Sequence, residues 1–332
     1  MSMVVSALPD VTADQRARIL AAPRTAASHR ALLAELPAMS AVQTGGTAAV
    51  PQLGPEISIA AWNVERCLFP QESADLLASY APDIVLLSEV DHGMARTAQR
   101  HTTEAMAQAL GMVYAFGVEF HELDLGGPTE RAFCTDRFNA HGWHGNAILS
   151  RAPFARVTML RLDDHGHWFS ADELEADPDQ PRVGGRMALL AVVATTMGEI
   201  CVVSTHLESN ADAKHRAAQF TLLLDQIEAF APNLPVLIGG DLNTGNHMPP
   251  DFDWRAETLF AQASARGYAW SATPAGMTTR PSLITPHPTR QMKLDWLGTR
   301  GLHLQDKALI AALTPEGKPL SDHDAVWCRV QI

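Results

Sequence analysis

Apolar, strand-like runs in this chain lead directly into acidic, amide or imidazole residues, and that recurrence limits the possible folds more than any other feature. Residues 57–62 lead into Asn63 and Glu65, 84–88 into Glu89, 200–205 into His206, and 236–240 into Asp241 and Asn243. Leu294 precedes Asp295, and Asp322 and His323 stand just before the last apolar run, 325–330. Taken singly, an Asp or Asn after a strand is a turn former or a helix cap. Taken together, strand ends on a rigid sheet converge on one end of a domain, where catalytic groups collect. A turn does not call for Glu89, because Glu is a poor turn former. Gly239 and Gly240 allow a sharp bend, so that Asp241 and Asn243 face the same side.

Between these runs the pattern is helical. Residues 73–80, 101–110 and 211–230 read as amphipathic helices, the last with Ala217, Phe220, Leu224, Ile227 and Phe230 along one stripe. Residues 187–196 and 200–205 read as a hairpin turning at Met197-Gly198-Glu199. Hairpins mixed with helical crossovers predict an α+β sandwich rather than a purely parallel sheet. Residues 1–55 read as an appendage of two short helices and a Gly-, Ala-, Thr- and Pro-rich linker over 40–55; residues 56–332 form the main domain. Two long loops stand out. Residues 163–185 are acidic and carry His165, His167 and Trp168, and residues 273–291 are rich in Pro and Thr. Loops of this kind are binding elements or solvated surface.

The chain has 332 residues and a net charge of -12, from 25 Lys+Arg against 37 Asp+Glu. That balance disfavours long nucleic acids, which select a basic face. Lys214, Lys293, Lys307 and Lys318 are the only lysines, which argues against an anchor on anionic membranes. No apolar run is long enough for stable insertion in a bilayer. Cys67, Cys134, Cys201 and Cys328 form no CxxC pair, so neither a zinc site nor a disulfide framework is expected. With no secretion leader evident, the expectation is a reduced, cytoplasmic protein.

The residue types define a chemistry. Glu65, Glu89, Asp322, Asn63 and Asn243 are hard oxygen ligands suited to Mg²⁺ or Mn²⁺. His206 and His323 can donate to the oxygens of a pentacovalent phosphate. Asp241 can take a proton from water or orient it, and Asp295 can fix the tautomer of His323. No Ser, Cys or Lys nucleophile motif and no phosphate-binding Gly-rich loop is present, so metal-assisted attack by water is the simplest reading.

Trp62-Asn63-Val64-Glu65, Leu87-Ser88-Glu89, Gly145-Asn146-Ala147-Ile148-Leu149-Ser150-Arg151, Ser204-Thr205-His206-Leu207-Glu208-Ser209, Gly240-Asp241-Leu242-Asn243, Lys293-Leu294-Asp295-Trp296 and Ser321-Asp322-His323 follow one another in order. This set resembles the endonuclease/exonuclease/phosphatase superfamily, with its deoxyribonuclease I-like fold, from residue 57 to the C-terminus. The texture is similar to an uncharacterised bacterial branch. The resemblance implies a four-layered α/β/β/α sandwich, two mixed sheets with outer helices and the site at one end. It implies Glu89 as the main metal ligand, helped by Glu65 and Asn63, with Asp322 as a further metal-side carboxylate. Asp241 would activate water, with Asn243 beside it. Asp295 would hold His323, and His206 would be the second phosphate-stabilising histidine. Arg186 and Asn146 are implied as site neighbours, and His247 stands within sequence reach of the phosphate. Trp143, taken with Asn146, Arg186 and His247 as a substrate-binding residue, occupies the place where abasic-site nucleases carry a tyrosine, which speaks against a DNA-repair role.

The implied activity is that of a metal-dependent hydrolase of phosphate esters. A small-molecule or lipid-derived phosphodiester is favoured over a monoester. One alternative is a nuclease or DNA-end-processing phosphodiesterase, since residues 205–209 are similar to those of 5′-tyrosyl-DNA phosphodiesterases. Arg131, Arg137, Arg151, Arg280 and Arg290 would then have to supply a cationic patch. The other alternative is a non-catalytic binding module on the same fold.

Overall fold

The computed structural model describes residues 2–170, 181–246, 253–289 and 291–332. His247, Arg290 and the acidic run from Asp172 to Asp179 fall outside the described residues. Among the described residues, fourteen strands follow one another: β1 (Met3–Val5), β2 (Ala41–Gly46), β3 (Glu56–Arg66), β4 (Ile84–His92), β5 (Val113–Glu122), β6 (Trp143–Ser150), β7 (Phe154–Arg161), β8 (Arg182–Gly184), β9 (Met187–Thr195), β10 (Gly198–His206), β11 (Val236–Asp241), β12 (Asp295–Arg300), β13 (His303–Ile310) and β14 (Ala325–Gln331). The α-helices are α1 (Ala13–Ala21), α2 (Ala26–Ala34), α3 (Pro70–Ala78), α4 (Thr102–Leu110), α5 (Pro128–Arg131), α6 (Ala213–Phe230) and α7 (Leu259–Ala265).

The strands form two mixed sheets. One runs β1-β2-β5-β6-β4-β3-β14-β13, with β8 paired to β5; the other runs β12-β11-β10-β9-β7. Within them, β3 is parallel to β4 and β10 to β11, while the expected β9–β10 hairpin is antiparallel. Three apolar cores separate four layers. Trp62, Leu87 and Leu149 face Leu77 of α3 and Met106 of α4. Ile57, Ile59, Leu86, Leu189, Val202 and Leu237 fill the space between the sheets. Val203 and Ile238 face Phe220, Leu224 and Ile227 of α6, and the stripe read from sequence is buried along its length. The architecture is the α/β/β/α sandwich that the motifs imply.

The N-terminal segment differs from the linker reading. Residues 41–46 form β2, which pairs antiparallel with β5 and parallel with β1, so the sheet crosses the expected boundary at residue 55. Composition suggested a loop here, but β5 offers a free edge, and pairing satisfies the backbone groups of a Gly-rich segment whatever its side chains. Gly45 lies against the Tyr114 ring, where a Cβ would come within 2.8 Å of its ring carbons.

Strand alternation explains where the polar residues go, because side chains two apart share a face. On β3, Ile57, Ile59 and Ala61 face the second sheet and Asn63 continues that row, while Glu65 lies in the break of register that follows. On β11, Leu237 faces the first sheet and Asp241 continues its row; on β12, Asp295 shares the row of Leu297. On β10, His206 continues the row of Ile200 and Val202. The site is therefore the polar end of the apolar core between the sheets.

Candidate active site

Glu89 is the exception to simple alternation. It would share the face of Leu87, which points to the helical layer. A bulge breaks the pairing of β4 with β3 and β6 at this point, and Glu89 adopts φ 59. Glu65 and Arg66 also have positive φ, at 41 and 73. Such bulges re-aim side chains at the rims of sheets, and non-Gly residues at positive φ carry backbone strain. Here they turn Glu89 and Arg66 into the same pocket as Glu65. Gly240, at φ 145, is required for the close pairing of β10 and β11, since a Cβ there would lie 1.9 Å from the Thr205 carbonyl oxygen.

The pocket has a volume of ≈ 170 Å³, and its walls include Glu65, Glu89, Asp241, Asn243, Asp322 and His323. Asp241 lies at its base and is buried. Its Oδ2 accepts from Asn63 Nδ2 at 3.1 Å and lies 3.6 Å from His206 Nε2 and 3.7 Å from His323 Nε2. Its Oδ1 accepts from the Asn243 backbone N–H at 2.8 Å. Asn63 also donates to Glu89 Oε1 at 3.0 Å, so one amide ties two carboxylates together. Ser321 Oγ donates to the Asn63 carbonyl at 2.6 Å, and Trp62 Nε1 donates to the His323 carbonyl at 2.8 Å. These two bonds fasten the segment before β14 across the end of β3.

Each histidine is held by its own carboxylate. His323 Nδ1 is 2.8 Å from Asp295 Oδ2, which leaves Nε2 directed toward Asp241 and, at 3.8 Å, Asp322. Burial works against the imidazolium, but Asp295, Asp322 and Asp241 outweigh it and hold His323 well above the usual histidine range. His206 Nδ1 is 3.3 Å from Glu119 Oε2. Burial and Arg186 oppose its charge, and Glu119 and Asp241 raise it all the same. Arg186 Nη1 stands 2.9 and 3.1 Å from the two nitrogens of His206 and 2.8 Å from Glu119 Oε1, and Nη2 donates to Ser209 Oγ at 3.0 Å.

The carboxylates differ in how they are compensated. Burial opposes the charge on Glu89, but Arg66 and His206 hold it well below the usual carboxylate range. Glu65 is pushed up to about 7, by burial and then by the charge of Asp322. Its Oε1 accepts from Ser282 Oγ at 2.6 Å and Thr285 Oγ1 at 2.8 Å, and its Oε2 from the Asp322 backbone N–H at 3.1 Å. The oxygens of Glu65, Glu89, Asp322 and Asn243 line one small cavity and are of the hard kind that a divalent cation could take, and the elevated Glu65 marks where positive charge is short. Asp241, Asp295 and His323 also form a buried group with metal-ligand spacing.

The model of the endonuclease/exonuclease/phosphatase family matches residues 60–323. The chain belongs to that family. Its members are hydrolases of phosphate esters. No curated protein shows significant sequence similarity to the chain. An endonuclease/exonuclease/phosphatase from Beutenbergia cavernae superposes with a TM-score of 0.60 at 19% identity, over 83% of this chain and 72% of the other. The catalytic domain of human nocturnin with bound sulfate gives 0.56 at 18%, over 87% and 97%. A mannosyl-6-phosphatase from Bacteroides thetaiotaomicron gives 0.56 at 14%, over 83% and 100%. At these identities the likeness is one of fold.

Of the residues that the family motifs single out, the pocket brings together Glu65, Glu89, Asp241, Asn243, Asp322, His206, His323 and Arg186, with Asn63 and Asp295 directly behind them. Trp143 is not among them. It shares the row of Ala147 and Leu149, which faces the helical layer, and packs its ring 4.8 Å from that of His121. Asn146 faces the other way, but its Nδ2 donates to the Met187 carbonyl at 3.1 Å and it does not reach the pocket wall. The proposed cationic patch is largely neutralised, since Arg131 pairs with Asp124, Arg151 with Asp83 and Arg280 with Asp324. Residues to which the sequence reading gave no role include Arg66, Glu119, Ser209, Ser282 and Thr285. Ser282 and Thr285 come from the Pro- and Thr-rich loop, where Thr279 forms a β-bridge with His323.

Proposed function

We propose that the chain is a divalent-metal-dependent phosphodiesterase acting on a small-molecule or lipid-derived substrate, with water attacking phosphorus directly. The observation that carries this reading is Asp241 Oδ2 lying between His206 Nε2, His323 Nε2 and Asn63 Nδ2, at 3.6, 3.7 and 3.1 Å, on the floor of an acidic pocket. Asp241 orients the attacking water and accepts its proton; Asn243 and Asn63 fix both carboxylate oxygens so that it presents one geometry. His323, kept cationic by Asp295, donates from Nε2 to a phosphoryl oxygen as charge develops there. His206 does the same from the opposite side, backed by Glu119 and Arg186. Glu89, Glu65 and Asp322 would hold Mg²⁺ or Mn²⁺, which when bound neutralises phosphate charge and stabilises the leaving oxygen. A cavity of ≈ 170 Å³ suits a phosphate group with a modest substituent better than a duplex laid across the surface. The pairing of Arg131, Arg151 and Arg280 with acids argues in the same direction.

The test is hydrolysis of bis-p-nitrophenyl phosphate beside p-nitrophenyl phosphate, with Mg²⁺, Mn²⁺ or EDTA, in the wild type and Asp241→Asn. Metal-dependent diester turnover that the variant loses is the expected result. Monoester turnover alone would replace the diesterase with a phosphatase. Turnover that survives in EDTA or in Asp241→Asn would refute the mechanism.

A further inference from the structure

A second group of ligand-type side chains lies outside the pocket, where the loop after β7 meets the first turn of α6. Asp163, His167 and His215 each place one ligand atom within 4.8 Å of the others. His215 Nε2 lies 3.6 Å from Asp163 Oδ2, and the rings of His167 and His215 meet edge to face at 4.9 Å. At that separation the His215–Asp163 contact is no hydrogen bond. It is close to the spacing of about 3.4 Å between neighbouring donors on a tetrahedral ion with bonds of about 2.1 Å. Two further observations point to a ligand. Asp163 Oδ1 is buried with no hydrogen-bond partner, its side chain being only 4% exposed, and His215 Nε2 is buried without one as well. Asp163 Oδ2 is oriented from behind by Gln219 Nε2 at 2.6 Å, the outer support that metal-bound carboxylates require.

We propose that Asp163, His167 and His215 form a second metal site, selective for a borderline transition ion of the Zn²⁺ class rather than Mg²⁺. Two imidazoles and one carboxylate are the donor set of such ions, and the fourth position is left to water or to His165, whose ring lies 5.7 Å from that of His167. The site fixes a loop that touches the catalytic wall. Next to His167, Trp168 Nε1 donates to Glu208 at 3.2 Å; Glu208 lies 3.4 Å from Arg186 Nε, and the Glu208 backbone N–H donates to Gln219 Oε1 at 3.0 Å. Metal at Asp163 and its neighbours therefore sets the position of Arg186, and through it that of His206.

The experiment is a titration of the full-length, metal-free protein with Co²⁺ under saturating Mg²⁺, followed by visible d–d absorption, with Zn²⁺ as competitor. One equivalent of Co²⁺ that Mg²⁺ does not displace and Zn²⁺ does is expected. His215→Gln and His167→Ala, each checked for an unchanged fold by circular dichroism, should abolish that band, and Asp241→Asn should keep it. Gln219→Ala should weaken Co²⁺ binding by about 10- to 100-fold. X-ray absorption at the zinc edge of the wild type needs no variant and should show two imidazoles in a nitrogen and oxygen shell. Persistence of the band in a folded His215→Gln, binding of Co²⁺ only where Mg²⁺ displaces it, or a zinc shell without imidazole would overturn the proposal.

Discussion

Glu65 lies near the end of β3 and Arg96 just after the neighbouring β4; both are buried ionisable groups, and their surroundings differ in kind. Arg96 bonds to both oxygens of Asp91 at 2.8 and 2.9 Å, to Glu122 at 2.9 Å and to Glu130 at 2.9 Å, while Arg66 takes a further share of Glu130. Burial opposes the charges there, yet Arg96 is raised and Glu130 held down at about 2. Around Glu65 there are two hydroxyls, one backbone N–H and a second carboxylate, and among the described residues no basic side chain pairs with it. One cluster is complete without help. The other is short of positive charge, and that shortage is what a catalytic metal would supply.

Four substitutions break or sharpen this contrast. Asp241→Asn should lower kcat/KM on the diester by on the order of 10³-fold or more, with the melting temperature nearly unchanged, as steady-state kinetics and calorimetry would show. Arg96→Met should do the reverse in kind. It strands Asp91 and Glu122 in the interior, so denaturant unfolding should show a loss of about 3–5 kcal/mol. Trp143→Phe should cost about 1–2 kcal/mol by loss of packing and leave KM as it is; a raised KM would restore the substrate-binding role that its strand register denies. The smallest effect concerns Glu65. Between pH 4.5, its ordinary pKa, and about 7, its folded one, the native state keeps a proton that the unfolded chain has released. Its contribution to stability therefore falls as pH rises through that window. Metal-free Glu65→Gln should be more stable than the wild type at pH 8 by on the order of 1 kcal/mol, and should lose this advantage at pH 4.

Much of the site was legible because it is local. His206, Asp241 and Asn243 follow apolar runs, and Asp295 and His323 stand at the start of the last ones, so their place at strand ends was visible in the sequence. What the sequence hid depends on tertiary geometry. Glu119 lies inside β5 beside a break in pairing with β6, and nothing nearby in sequence marks it as the partner of His206. Ser282 reaches Glu65 across 217 residues. Trp143 was assigned to the substrate by motif position, whereas the parity it shares with Leu149 sends it to the helical layer. The mixture of hairpins and crossovers pointed to a mixed α+β sandwich and the family motifs to its four layers, but neither pointed to β2, because a Gly-rich strand is recognised only by the edge it pairs with.

The most direct test of an incomplete charge cluster is the melting temperature of the metal-free protein against pH, with and without Mg²⁺, in the wild type and Glu89→Gln. Binding to the native state alone should raise the wild-type midpoint by several degrees at pH 8. The rise should shrink toward pH 5 as Glu65 takes up its proton, and it should vanish in Glu89→Gln. No rise with Mg²⁺ or Mn²⁺ at any pH, or an equal rise in Glu89→Gln, would contradict the account.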